Sequence, residues 1–225
     1  MGVIHKCIVG VGLLTLVSCQ PRWLYSASYQ FANNPQLVQH EAFSILTLKG
    51  ATSTGQFGQI LEVPGRGDGI RQLTFFSLKD GHIEFYQLFN PSSPSYSVNF
   101  KDGLMEVFQG FALGEASETI SLPAGLLYHP VMATQYPIVV DDIWSLKVGQ
   151  EHLLTMVQPP KGSISVASYY LAQKTAKERI YLYRNDNNVG TLAYKKLKGQ
   201  WVLQKVDLMN QEVPYVWERI EATSN

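Results

Sequence analysis

The side chains able to do chemistry are spread thinly through this sequence. Beyond His5, the histidines His40, His82, His129 and His152 each stand alone, none at the spacing that lets two imidazoles share a metal ion. Surface or turn positions are expected for them. Asp141-Asp142 is a carboxylate pair, but neighbours in an extended chain point to opposite faces, so the pair is expected to end a strand rather than act as an acid/base dyad. Gly50 to Gly55 has the glycine spacing of a phosphate-binding loop, yet Gln56-Phe57 stands where a Lys and a Ser or Thr would hold phosphate and magnesium. Asn185 to Gly190 is rich in Asn and Asp like a calcium loop, but Val189 takes an alternate ligand position and no Glu closes it. A hairpin turn is expected there. Arg66-Gly67-Asp68 matches an adhesion tripeptide, inside a Pro/Gly stretch that any turn uses. There is no G-x-S-x-G, H-E-x-x-H or paired C-x-x-C. No catalytic residue, metal site or cofactor is expected, and a hydrolase with a dispersed triad is the least supported class.

The two cysteines, Cys7 and Cys19, sit in a patterned N-terminus. Met1 to Lys6 carries one basic residue, and Cys7 to Val17 is an uncharged apolar run of 11 residues. That length suits the core of an export signal, roughly 7–15 residues, and falls short of the ~20 that span a bilayer. The run ends in Leu16-Val17-Ser18-Cys19. This resembles the lipobox of bacterial lipoproteins: an aliphatic residue, a small or aliphatic one, a small one, then an obligatory cysteine. The resemblance implies cleavage after Ser18 and attachment of acyl (palmitate-class) chains to Cys19. Gln20 in place of Asp implies, by the enteric pattern, an outer-membrane address facing the periplasm. Loss of Cys7 with the leader leaves one thiol, and acylation accounts for it. Several acyl chains on one residue hold a protein to a leaflet far more firmly than one, at about 0.8 kcal/mol per buried CH₂.

Removing Lys6 leaves 17 basic against 18 acidic residues. Near-neutrality argues against nucleic acid as partner. The densest basic stretch, Lys195-Lys196-Leu197-Lys198, falls in a hairpin pattern and is expected to be a solvated strand end. No second apolar run is long enough to cross a membrane.

The expected organisation is a signal peptide over 1–18, a lipidated N-terminus and tether over 19–32, and one β-rich domain over 33–225. Asn33-Asn34-Pro35 reads as a helix start, predicting a short helix over Pro35 to Glu41. Asp80-Gly81 and Asp102-Gly103 each separate strand-like runs, the signature of a two-residue type I′ hairpin. RIYLYR (179–184), GTLAYKKL (190–197), QWVLQKVDL (200–208) and a closing VPYVWERIEA (213–222) repeat the style. Residues 166–177 read as helix or strand. SLPAGLLYHPVM (121–132) reads as a loop whose apolar tip, Leu126-Leu127-Tyr128, is a candidate contact loop. The predicted fold is mainly β: an antiparallel meander of nine or ten strands curled into a half-barrel or sandwich, with one or two short helices.

That architecture, together with the lipobox, resembles the half-barrels of the lipoprotein-localisation (Lol) receptor and carrier group. The resemblance implies a curved sheet covered by helices and an apolar cavity for acyl chains or for lipidated proteins. A structural or assembly lipoprotein that binds another envelope protein is the alternative. A flat apolar patch would favour the second reading, an enclosed pocket the first.

Overall fold

The computed structural model describes residues 22–46, 54–62, 69–77, 83–110, 115–123, 127–128, 136–210 and 213–220. The first arm of the sheet is β1 (Arg22–Phe31), β2 (Asn34–Leu46), β3 (Thr54–Glu62), β4 (Ile70–Ser77), β5 (Ile83–Phe89), β6 (Tyr96–Lys101), β7 (Leu104–Gln109) and β8 (Glu118–Ser121). A two-residue strand, β9 (Leu127–Tyr128), and two single-turn helices, α1 (Tyr136–Val139) and α2 (Asp141–Trp144), lead to the second arm. That arm is β10 (Glu151–Gln158), β11 (Ser163–Lys174), β12 (Glu178–Arg184), β13 (Asn188–Leu197), β14 (Gln200–Asn210) and β15 (Val213–Ile220).

All fifteen strands belong to one sheet, in the spatial order β8 through β1, then β15 back to β9. Neighbours are antiparallel except β9 and β10. The two ends of the described chain meet in the middle of the sheet, where Ser28 to Phe31 pair with Ile220 to Trp217. The outer ends of the arms also meet. The Tyr96 hydroxyl reaches the Pro159 carbonyl at 3.5 Å, and a Cβ on Gly162 would lie 3.2 Å from Ile120. The sheet is therefore curled, with one face turned inward. Alternation puts the core on that face: Tyr29, Met105, Tyr169, Leu171, Tyr181, Leu192, Tyr194 and Trp217 are all fully buried or nearly so.

Local turn chemistry explains the meander. Asp102 (φ 53°) and Gly103 (φ 76°) both take the left-handed region between β6 and β7, and Lys198 (φ 48°) and Gly199 (φ 85°) do the same between β13 and β14. At Asn185, the side-chain oxygen accepts from the backbone N–H of Asn187 and Asn188 at 3.0 and 2.7 Å, closing the β12–β13 turn.

Four expectations are corrected. Pro35 to Glu41 is not a helix but the start of β2. Pro35 sits at a strand beginning, where proline is tolerated, and pairing to β1 and β3 on both sides overrides the local signal. The tether assigned to 19–32 is strand from Arg22 onward, because Phe31, Tyr29 and Ala27 bury inward. Asp141-Asp142 opens α2 rather than ending a strand, a position where carboxylates favour the helix dipole. Leu127-Tyr128 is not a free tip: its backbone pairs in parallel with Met156-Val157 of β10. Residues 166–177 resolve as strand through Lys174. The Asp80-Gly81 turn lies outside the described residues, but the strands it joins, β4 and β5, pair as expected.

Candidate functional site

Two regions of the sheet have the chemistry of a binding surface. The first is the inward wall. On the β2–β4 side, pairing places Glu41 opposite Gln59, and Gln59 opposite Gln72. Gln39 and Glu41 are buried, and the Gln39 amide donates to the Glu41 carboxylate at 2.6 Å. The Gln72 side-chain oxygen is buried without a hydrogen-bond partner among the described residues. Half-buried Leu37, Leu61, Leu88 and Tyr96 pack beside this polar track. The wall is thus amphipathic: the polar side chains of Gln39, Glu41 and Gln72 share it with aliphatic and aromatic surface.

Across the interior, β12 to β15 and β1 contribute aromatic rings. Tyr29 and Trp217 meet edge to face at 4.6 Å, and Phe31 stacks on Trp217 at 6.0 Å. Tyr181 and Tyr194 meet edge to face at 5.9 Å. The Tyr29 hydroxyl donates to the Leu203 carbonyl at 3.1 Å. The Tyr194 hydroxyl and the Trp217 indole N–H have no hydrogen-bond partner among the described residues. Burial pushes the Tyr194 phenol well above its ordinary pKa, with the neighbouring Tyr181 and the negative charge of Glu41 adding to the effect. Glu41 also raises Tyr215, after burial. The carboxylate on β2 and the phenols of β13 and β15 therefore share one electrostatic environment.

Helix α2 closes one side of this interior. Arg179 lies 3.6 Å over the Trp144 ring and 5.3 Å from that of Trp201. Its guanidinium also donates to the Trp144 carbonyl, and the Tyr181 hydroxyl donates to the Ile143 carbonyl at 3.3 Å. Two backbone acceptors at the end of a one-turn helix are thereby satisfied by side chains of β12.

The second region is the outward face of β10 to β12. Leu153, Ile164, Val166, Tyr170 and Leu182 are exposed there, Leu153 at 60 %. Register puts Tyr170 opposite Leu182, and Leu153 opposite Ser168. A shallow depression of about 330 Å³ is lined by Leu153, Val166, Ser168, Arg184, Asn185 and Asp186. Ser168 donates to the Glu151 carboxylate at its base.

Leu16, Val17, Ser18, Cys19 and Leu126 lie outside the described residues, as do Gly50, Arg66 to Asp68, His82 and His129. Gly55 to Phe57 are strand residues of β3. The Nδ1 of His40 bonds the Ser28 hydroxyl at 2.8 Å on the outward face, away from the Glu41 track. Among the described residues no three His, Cys, Asp or Glu side chains gather as for a metal ion. Reading the sequence missed the inward polar track. Its signal was polar residues at inward alternation, Gln39 and Glu41 in β2 and Gln72 and Thr74 in β4.

No family model matches this chain, and no curated protein matches it. Among solved structures it is similar to a β-barrel-like protein of the domain of unknown function DUF1849 from Brucella abortus, at 9 % identity and a TM-score of 0.49, covering 89 % of this chain and 96 % of that one.

Proposed function

We propose that this chain is a lipid-anchored lipoprotein of the bacterial envelope, held to the outer membrane through Cys19 and facing the periplasm. Its curled sheet is a non-catalytic binding module for an amphiphile with an acyl chain. One observation carries the reading. The inward wall sets hydrogen-bonding groups, Gln72 above all, beside half-buried Leu61, Leu88 and Tyr96. A buried amide oxygen without a partner costs about 1–3 kcal/mol, and a ligand donor recovers that cost. Acyl carbons against the leucines add about 0.8 kcal/mol per CH₂. Transfer then follows partition: the chain moves to whichever site buries more of it.

The test is native mass spectrometry of protein purified from cells. Adducts of acyl-chain mass, weakened in a Gln72→Leu variant, support the module. A clean protein that takes up no fluorescent monoacylglycerol, whose hydroxyls can donate to Gln72, ends it.

A second reading has its own observation. The outward patch of Leu153, Ile164, Val166, Tyr170 and Leu182 is exposed and apolar, the kind of surface that meets a protein partner. Under this reading the chain is an assembly subunit of the envelope. Leu153→Glu then abolishes co-purification of the partner and leaves any lipid adduct in place.

A further inference from the structure

Antiparallel pairing sorts every turn to one of two rims. β1 starts at one of them, with Arg22, only three residues after Cys19. Its pairing through β15 and β14 brings the β13–β14 turn to the same rim, and β13 and β12 bring the β11–β12 turn beside it. The two turns are joined by a backbone hydrogen bond of 2.9 Å, from the Lys196 N–H to the Lys177 carbonyl.

These two turns carry Lys174, Lys177, Lys195, Lys196 and Lys198, all exposed. Glu178 is the carboxylate set among them, and it accepts from the Gln173 amide at 3.2 Å. The same rim takes exposed Lys101, paired with Asp102 at 4.0 Å, and exposed Lys147 ahead of β10, whose first residue, Glu151, is held by Ser168. Asp141 and Asp142 face solvent on α2. Of the remaining described lysines, Lys161 lies at the opposite rim, and Lys205 lies within β14, bonded to Asp207 and Glu218 at 3.3 and 3.1 Å. The lysine turns also carry apolar surface: Leu197, at 38 % exposure, sits next to the β13–β14 turn.

We infer that this lysine rim is a docking surface for an anionic phospholipid bilayer. Lysines in adjoining turns with an exposed leucine between them match a headgroup region: ammonium groups at the phosphates, an apolar group at the acyl boundary. Each lysine near such a surface contributes about 1 kcal/mol, screened over roughly a Debye length. The proposal deepens the anchored reading. Three residues of extended chain reach about 10 Å at most, so an anchor at Cys19 holds the start of β1 against the leaflet, and the lysine rim with it. The charge and apolar pattern stands without the anchor.

The experiment is amine footprinting. The mature protein, reconstituted into phosphatidylcholine vesicles with and without phosphatidylglycerol, is acetylated briefly and read by mass spectrometry. On the anionic vesicles Lys174, Lys177, Lys195, Lys196 and Lys198 should react about five-fold more slowly than on neutral ones, the equivalent of about 1 kcal/mol each. High salt should remove the difference, and Lys161 should react alike throughout. Replacing Lys195, Lys196 and Lys198 by Gln should cancel the slowing at Lys174 and Lys177 without altering the circular dichroism. Equal reactivity of the five on both vesicles overturns the docking surface, as does equal protection on neutral vesicles. The same digest shows whether Cys19 is acylated. An acylated Cys19 with unprotected lysines sinks the rim alone. An unmodified Cys19 sinks the anchor alone, and protein added to vesicles from solution then still decides the rim.

Discussion

At the scale of single residues, two buried tyrosines in the same wall make opposite predictions. The Tyr29 hydroxyl donates to the Leu203 carbonyl and so ties β1 to β14 across β15. Tyr29→Phe removes that bond, at a cost of about 1 kcal/mol. The Tyr194 hydroxyl is fully buried and has no partner among the described residues. Tyr194→Phe removes a desolvated group that gains nothing from the fold, so stability should hold steady or rise by about 1 kcal/mol. Urea unfolding midpoints of the two variants decide this; equal destabilisation would show that Tyr194 is satisfied. The sequence shows both tyrosines at alternating strand positions, but not which hydroxyl finds an acceptor. That depends on strands more than one hundred residues apart in the chain, as the separation of 174 for Tyr29 and Leu203 illustrates.

At the scale of elements, the hairpins were legible and the central strands were not. Asp102-Gly103 and Lys198-Gly199 announce themselves because positive φ at both positions is a local demand. β1 and β2 lack such a signal. Asn34-Pro35 looks like a helix start, and Arg22 to Gln30 looks like a linker until β15, almost two hundred residues on, pairs with it. Polar Gln39 and Glu41 on the inward face further disguise β2. One glycine tests how tightly such pairing is packed. At Gly190, opposite Leu208, an added Cβ would sit 2.0 Å from the Asp207 carbonyl oxygen and 2.8 Å from the Leu208 Cα. Backbone cannot swing aside as a side chain does, so Gly190→Ala forces β13 from β14 and should cost about 3 kcal/mol, the upper end for overpacking. Gly199→Ala meets nothing within 4 Å and carries only the left-handed strain of φ +85°, about 1–2 kcal/mol. Thermal melts of the pair should rank in that order, and the reverse order would mean that β13 and β14 are not paired in this register.

The molecule as a whole closes on itself twice, once where its chain ends pair at β1 and β15 and once where the outer arms touch. Its interior consequently holds several phenols far from water, and this sets the response to alkali. Burial raises the pKa of Tyr86, Tyr183 and Tyr194 above the ordinary 10.0. At Tyr86 the adjacent Tyr96 adds to the shift; at Tyr183 the Asn185 amide, donating to the hydroxyl, opposes it. Below pH 10 these groups are protonated in both the folded and the unfolded chain, so they impose no pH dependence. Above it the unfolded chain releases protons that the folded chain retains, and stability falls until the folded pKa values are passed. Each phenol contributes a slope of up to about 1.4 kcal/mol per pH unit, or about 4 for the three together. Absorbance near 295 nm should therefore show the buried tyrosines ionising only in a late, cooperative step that coincides with loss of the β-sheet circular dichroism. A single smooth titration with the sheet intact would mean that water reaches the inward wall, and that the sheet is not curled shut around its tyrosines.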